Sequence, residues 1–311
     1  MPYLIVLQML VLQNAQDRST FQSGVALVHV DAEVRENGRP IDGLGKESFR
    51  LTDNGKPQTI VYFGHEEEPL DVVLLFDARR ELRPDVKRVA EGAHAALSDL
   101  RPGDHVAEMA FGVTAGDCKT DLILDFTGDF DTAERSLGNQ AIQREPAPKG
   151  SGFCSIQRGF AKAAQLFLSQ PSGKRRRAIV IITDDKGIPE RPSAVSNTLH
   201  DLWRADAVVL GVLVHSEAVV VSIGPPYRGA RSAAEKTGGD VLKTGDAAEG
   251  LREMLHRLRT RYSLYYALPQ GKAGEERKIR VQLAPDAAKR YPGAVVLART
   301  GYVMPSSNNV P

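Results

Sequence analysis

Between Gly24 and Phe63 apolar and polar residues alternate with a period of two. Val25, Leu27, Val28 and Val30 lead to Asn37-Gly38, Phe49 and Leu51 run into Asp53-Asn54-Gly55, and Ile60 to Phe63 follows. Alternation interrupted by Asn-Gly predicts half-buried antiparallel strands joined by tight hairpins. From Leu70 the pattern changes to solid runs of branched apolar residues, each followed by a stretch that is apolar every third or fourth position. Buried strands are expected at Val72 to Phe76, Val106 to Phe111, Leu122 to Phe126, Ala178 to Ile182, Ala207 to Val214 and around Val241. Helices are expected at Pro84 to Leu100, Thr132 to Gln143, Ile156 to Ser169, Ala194 to Arg204, Arg228 to Thr237 and Ala247 to Arg261. Period two returns at Tyr262 to Tyr266, Lys278 to Leu283 and Val295 to Arg299.

Strands alternating with amphipathic helices imply an α/β class: a doubly wound, mostly parallel six-stranded sheet with helices on both faces. Phe111 and Leu122 are too close in sequence for a crossover helix, so the third of these strands should pair antiparallel at an edge. The ends of a domain tend to lie close together, which predicts a small β module built from both flanks with the α/β unit inserted in it. The expected division is a candidate signal peptide at 1–20, an N-terminal β segment at 21–68, the α/β unit at 69–261, a C-terminal β segment at 262–304 and a polar tail at 305–311.

A chain of 311 residues with a formal net charge of +1 has ample core and no polyanion-binding character, so nucleic acid is not an expected partner. The apolar run Tyr3 to Leu12 has the length of a signal-peptide core and is too short to span a bilayer, which points to export. It lacks basic residues before it and an Ala-x-Ala site after it, so a mis-assigned start or a buried strand stays open. Cys118 and Cys154 are the only cysteines, compatible with one disulfide or with two separate thiols.

The stretch Asp71-Val72-Val73-Leu74-Leu75-Phe76-Asp77-Ala78-Arg79-Arg80-Glu81 reads as a central strand delivering a carboxylate to the carboxyl edge of the sheet, where α/β folds bind ligands. With the flanking phrases Phe49, Gly55-Lys56-Pro57-Gln58 and Ile60, it resembles the von Willebrand factor type A (VWFA-related) proteins of secreted bacterial type. The resemblance covers about Gly24 to Tyr302. It implies an adhesion or protein-binding domain with a metal-ion-dependent adhesion site, marked in the family by Asp-x-Ser-x-Ser at this strand end, a threonine loop before the third helix and an aspartate after the fourth strand. Here Asp77 is kept, Arg79 and Glu81 stand at the two serine positions, Ser151 in Gly150-Ser151-Gly152 is the candidate hydroxyl, and Asp184 is the last aspartate.

Magnesium or manganese would take oxygen ligands from Asp77, Ser151, Asp184 and, in one reading, Glu81, with Arg79 turned to solvent. Arginine itself has only donors. An inward Arg79 about 5 Å from a dication would repel it by about 6 kcal/mol at an effective dielectric of about 20, more than four decades in affinity. The favoured expectation is therefore a cation-free site, with the Arg79 guanidinium bridging Asp77 and Asp184. A plainer role for both carboxylates is to cap the helices that follow.

Glu66 to Pro69, Lys174 to Arg177, and Asp185 with Lys186 read as solvated turns and strand starts. Gly224 to Ser232 has glycine spacing but lacks the Lys and Ser of a phosphate loop, and no set of hydrolase or metalloprotease residues assembles. The expected function is non-catalytic protein binding outside the cytoplasm through Asp77, Arg79, Glu81, Ser151 and Asp184. The alternatives are a scaffold subunit of an envelope assembly and a cation-dependent adhesion domain.

Overall fold

The computed structural model describes residues 26–65, 68–114, 117–138, 154–170, 175–216 and 228–306. The expected signal peptide and Ser151 lie outside them. The N-terminal flank forms β1 (Leu27–Glu36), β2 (Arg39–Pro40), β3 (Phe49–Asp53), β4 (Lys56–Gln58) and β5 (Ile60–His65). Asn37-Gly38 and Asn54-Gly55 make the turns between β1 and β2 and between β3 and β4, all four residues at positive φ. Two successive left-handed residues give the hairpin a twist that matches its strands, and Asn-Gly adopts them at least cost.

The α/β unit follows: β6 (Leu70–Asp77), α1 (Arg83–Glu91), α2 (Ala93–Leu97), β7 (His105–Thr114), β8 (Asp117–Thr127), α3 (Phe130–Ser136), α4 (Ile156–Ser169), β9 (Arg176–Thr183), α5 (Pro192–Arg204), β10 (Ala207–Leu213), α6 (Gly229–Thr237), β11 (Val241–Lys243) and α7 (Ala247–Arg259). Its sheet has the order β11-β10-β9-β6-β7-β8, parallel except for the antiparallel β8 at one edge. Every residue of β6 is buried, and its side chains divide by the period of two. Val72, Leu74 and Phe76 pack with α1, α2, α3 and α7, while Val73 and Leu75 pack with α4, α5 and α6. Each such fully buried side chain contributes about 1.5–3 kcal/mol.

The helix expected over Pro84 to Leu100 is two helices meeting at Gly92, where a Cβ would come within 2.5 Å of Ala248 Cβ on α7. The apolar period continues across this break and so conceals it. The last helix stops at Arg259, because Tyr262 already belongs to the next strand.

The C-terminal flank forms β12 (Tyr262–Ala267), β13 (Glu276–Leu283), α8 (Pro285–Arg290), β14 (Val295–Ala298) and β15 (Gly301–Val303). These strands pair with those of the first flank. One sheet runs β14-β1-β12-β5 with β2 on β1, and the other runs β15-β13-β3-β4. Val30, Ala32, Leu51, Tyr262, Leu264 and Ile279 fill the space between them. Asp53 is fully buried there, and the Arg277 Nε and the Tyr266 and Tyr302 hydroxyls donate to it at 2.7–2.9 Å.

Two stretches expected to be solvated are built into the seam between the two units. Glu68 accepts from the Ser263 and Tyr265 hydroxyls. Arg176 is 3% exposed and donates to the Leu258 and Arg261 carbonyls, while Arg175 donates to Asp71 at 2.6 Å. Arg261, completely buried, donates to Asp31, to Glu33 at 3.1 Å and to the Gly238 carbonyl at 2.7 Å. His29 and Arg299 both bond Asp206, at 2.5 and 3.0 Å.

Glu108, fully buried on β7, accepts a 2.7 Å bond from the Ser136 hydroxyl. Burial pushes its carboxyl up to about 7, against the pull of that bond. A carboxyl raised in the folded state binds more protons there than in the unfolded chain, so stability falls as pH rises from about 4.5 to about 7. The full cost, on the order of 3 kcal/mol, is present above that window. Glu108→Gln should therefore stabilise the protein by up to about 3 kcal/mol at pH 8 and converge with the parent near pH 4.5, as read from urea denaturation at both pH values.

Candidate functional site

β6 and β9 lie side by side with Phe76 opposite Ile182, so the residues leaving their carboxyl ends emerge together. Asp77 closes β6 and is 2% exposed. The chain turns immediately, and Arg79, 7% exposed, folds its side chain back over the strand end. Arg79 Nε donates to both Asp77 oxygens at 2.9 and 3.1 Å, and Nη2 reaches Asp77 Oδ2 at 2.7 Å. The same Nη2 donates to Asp184 Oδ1, which follows β9. One guanidinium thus joins the two carboxylates.

The chain supplies further donors to both carboxylates. Asp77 Oδ2 accepts from the Thr183 hydroxyl at 2.8 Å, and Asp77 Oδ1 from the Arg79 amide at 3.3 Å. Asp184 accepts from the Lys186 amide at 2.9 Å and from the Ser216 hydroxyl. Lys186 Nζ donates to the Ser216 carbonyl at 2.6 Å. All four carboxylate oxygens therefore have donors from the chain itself, at the short distances of charge-assisted bonds. Neither carboxylate caps a helix.

Burial pushes the Asp77 carboxyl up, with Asp184 adding to the effect and Arg79 and Thr183 opposing it. Burial also works against the Arg79 charge, and the Asp77 and Asp184 carboxylates outweigh it, so the guanidinium holds its proton more firmly than a free arginine. The cluster is compact, with one guanidinium shared between two carboxylates. Its carboxylates are not open acceptors, and a dication would have to displace the guanidinium before reaching them. The described residues of this cluster do not fit a resident metal. Among the described residues no group of three or more His, Cys, Asp and Glu side chains is arranged to hold one.

Glu81 sits exposed on the 3-10 turn Arg80–Leu82, and no hydrogen bond or ion pair joins it to Asp77 or Asp184. Cys118 and Cys154 are joined by a disulfide, their Cα atoms 5.4 Å apart, which ties the start of β8 to the residues leading into α4.

Asp185 and Lys186 are not the solvated turn residues expected. Asp185 stands at φ 54° and accepts from the Ala230 amide at 2.7 Å and the Arg231 amide at 3.3 Å, which makes it the cap of α6. A carboxylate there satisfies orphan amides and suits the positive end of the helix dipole. Burial nonetheless raises its pKa, against those two bonds. Thr183, Ser216 and Lys186 were missed as cluster residues. Thr183 sits at the strand end beside Asp184 and was legible by position, whereas Ser216 follows a neighbouring strand with no motif around it.

No protein-family model and no curated protein sequence matches the chain. Among solved structures, a von Willebrand factor type A protein from Catenulispora acidiphila is similar over 93% of this chain and 77% of that one, with 15% identity and a TM-score of 0.43. Proximal thread matrix protein 1 of the mussel byssus is similar over 62% of this chain and 47% of that one, with 12% identity and a TM-score of 0.46. The SpRpn10 VWA domain is similar over 61% of this chain and 95% of that one, with 11% identity and a TM-score of 0.42. The chain's own topology, a mostly parallel six-stranded sheet with one antiparallel edge and helices on both faces, is that of a type A-like fold.

Proposed function

We propose that this protein is a non-catalytic, adhesion-type binding protein acting outside the cytoplasm, and that Arg79 has taken the place of the divalent cation at the carboxyl edge of its type A-like unit. The observation that carries this reading is the Arg79 guanidinium between Asp77 and Asp184. It supplies positive charge where the family holds an ion, and it does so covalently. A partner would then be recognised without a carboxylate completing a metal's coordination shell. The surface left for it is the loop-built rim around Glu81 and Lys186 together with the β7–β8 hairpin, a polar edge suited to reversible protein contact. Action outside the cytoplasm is supported by the Cys118–Cys154 disulfide, since such bridges persist in oxidising compartments. No helix among the described residues is long and apolar enough to cross a membrane.

Calorimetric titration of magnesium and manganese into the chelator-stripped protein tests the reading, beside the Arg79→Ser, Glu81→Ser double variant. The expected result is no binding to the parent and binding to the double variant. Millimolar or tighter binding to the parent would overturn it and turn the search towards partners that offer a carboxylate.

A further inference from the structure

His29, Arg299 and Asp206 clasp the β module to the α/β unit. His29 on β1 and Arg299, between β14 and β15, belong to the module. Asp206 belongs to the α/β unit, in the turn from α5 to β10. His29 Nδ1 lies 2.5 Å from Asp206 Oδ2, and Arg299 Nη1 donates to Asp206 Oδ1 at 3.0 Å. Arg299 Nη2 donates to the His29 carbonyl, which closes the three residues into a ring. The His29 side chain is 12% exposed and that of Asp206 35%, and a small cleft lined by Asp31, Trp203, Thr237 and Arg299 opens beside Asp206. Protons can therefore reach the pair without the protein unfolding.

A carboxylate only accepts, so Nδ1 carries the hydrogen of that bond and the proton that comes and goes sits on Nε2. Nε2 is buried and meets no hydrogen-bond partner among the described residues, so the charges around the ring decide whether the proton stays. From β1 comes Asp31, itself held by Arg261. From β12 the Tyr265 ring stacks at 4.7 Å, its hydroxyl donated to Glu68 at 2.8 Å. The α/β unit contributes Asp206, with Arg177 acting on it, and the module contributes Arg299. Burial works against an imidazolium here, but Asp206 and Asp31 outweigh it and Arg299 together, raising the His29 pKa above its ordinary 6.5. Burial also works against the Asp206 charge, and His29 and Arg299 outweigh that, holding its carboxyl below the usual range.

We propose that the His29–Asp206 pair is a pH-operated latch on the seam. With the imidazole charged, His29 and Arg299 together grip Asp206 and hold the β module against the α/β unit. Loss of the imidazole proton leaves Arg299 alone on the carboxylate, and the seam opens locally. The sign follows from linkage: a base whose pKa folding raises stabilises below its unfolded value, and that contribution is lost as pH rises through the folded value. A carboxyl whose pKa folding lowers does the reverse, its contribution being lost as pH falls. The latch is therefore engaged from mildly acidic pH to neutrality and releases as pH rises beyond about 6.5. The proposal is independent of Arg79, because the latch lies at the seam and not at the carboxyl edge of the α/β unit.

Native-state hydrogen exchange on the full chain, from about pH 6 to about pH 9, is the direct test. Two amides report the seam: Thr300, which donates to the Lys236 carbonyl at 3.0 Å, and Asp206, which donates to the Trp203 carbonyl at 3.2 Å. After correction for intrinsic exchange, and relative to the β6 amides that report global opening, both should lose at least about threefold in protection as pH rises. His29→Gln should abolish that dependence. His200→Gln, which removes the imidazole stacked on Trp203 at 6.0 Å, should leave it in place. Protection of Thr300 and Asp206 that stays constant relative to β6 in the parent would overturn the proposal, with no variant having to fold. So would a dependence that survives in His29→Gln or vanishes in His200→Gln.

Discussion

Replacing Arg79 by alanine should destabilise this protein by about 3–5 kcal/mol, the usual cost of removing one partner from a buried ion pair. Asp77 and Asp184 would then face each other without the guanidinium they share, both still held away from water. In a chain of this size the loss corresponds to a fall in melting temperature on the order of 10 °C. The same substitution opens oxygen ligands, and a dication that binds only the folded form restores stability in proportion to its saturation. Millimolar magnesium should therefore raise the melting temperature of the Arg79→Ala variant and leave that of the parent unchanged. Thermal melts with chelator and with magnesium decide it. An Arg79→Ala variant within about 1 kcal/mol of the parent in chelator would show that the cluster is not the buried ion pair described above.

Arg261→Met should cost a similar amount, about 3–5 kcal/mol, for a different architectural reason. Methionine preserves the apolar stem but leaves Glu33, itself 1% exposed, and Asp31 without their guanidinium at the seam between the β module and the α/β unit. If the loss arises from orphaned carboxylates, it should be largely reversed by adding Asp31→Asn and Glu33→Gln, since a buried charge group replaced as a whole is often neutral in stability. Urea denaturation of the parent, the single variant and the triple variant separates the outcomes. A triple variant as weak as the single one would place the effect in the lost bond to the Gly238 carbonyl instead.

The elements most legible in the sequence are those whose information is local. β6 announces itself as a branched apolar run closed by Asp77, and the two Asn-Gly turns fix their hairpins, because strand burial and left-handed turns each leave a mark within a few residues. The meeting of Asp77, Arg79 and Asp184 was legible only through the resemblance, which placed two strand ends side by side. Several charged residues were misread for the opposite reason. Glu68, Arg176 and Asp185 look like solvated positions in sequence, yet their partners lie 45 to 197 residues away. No window of sequence reports a hydrogen bond over that distance. Gly92 was hidden because the helical period passes through it undisturbed, and only its approach to Ala248 reveals why a glycine stands there.

The pairing of His65 with Tyr262 brings the two ends of the α/β unit onto adjacent strands, β5 and β12. For a chain that emerges from the ribosome in one direction, this arrangement imposes a wait. β1 and β5 are made early, yet β12, which lies between them in the finished sheet, follows only after the whole α/β unit. At about 5–20 residues per second that interval is on the order of 10–40 seconds. Throughout it β5 lacks the strand that covers it in the finished sheet, so the nascent chain is most prone to mispairing before the α/β unit is complete.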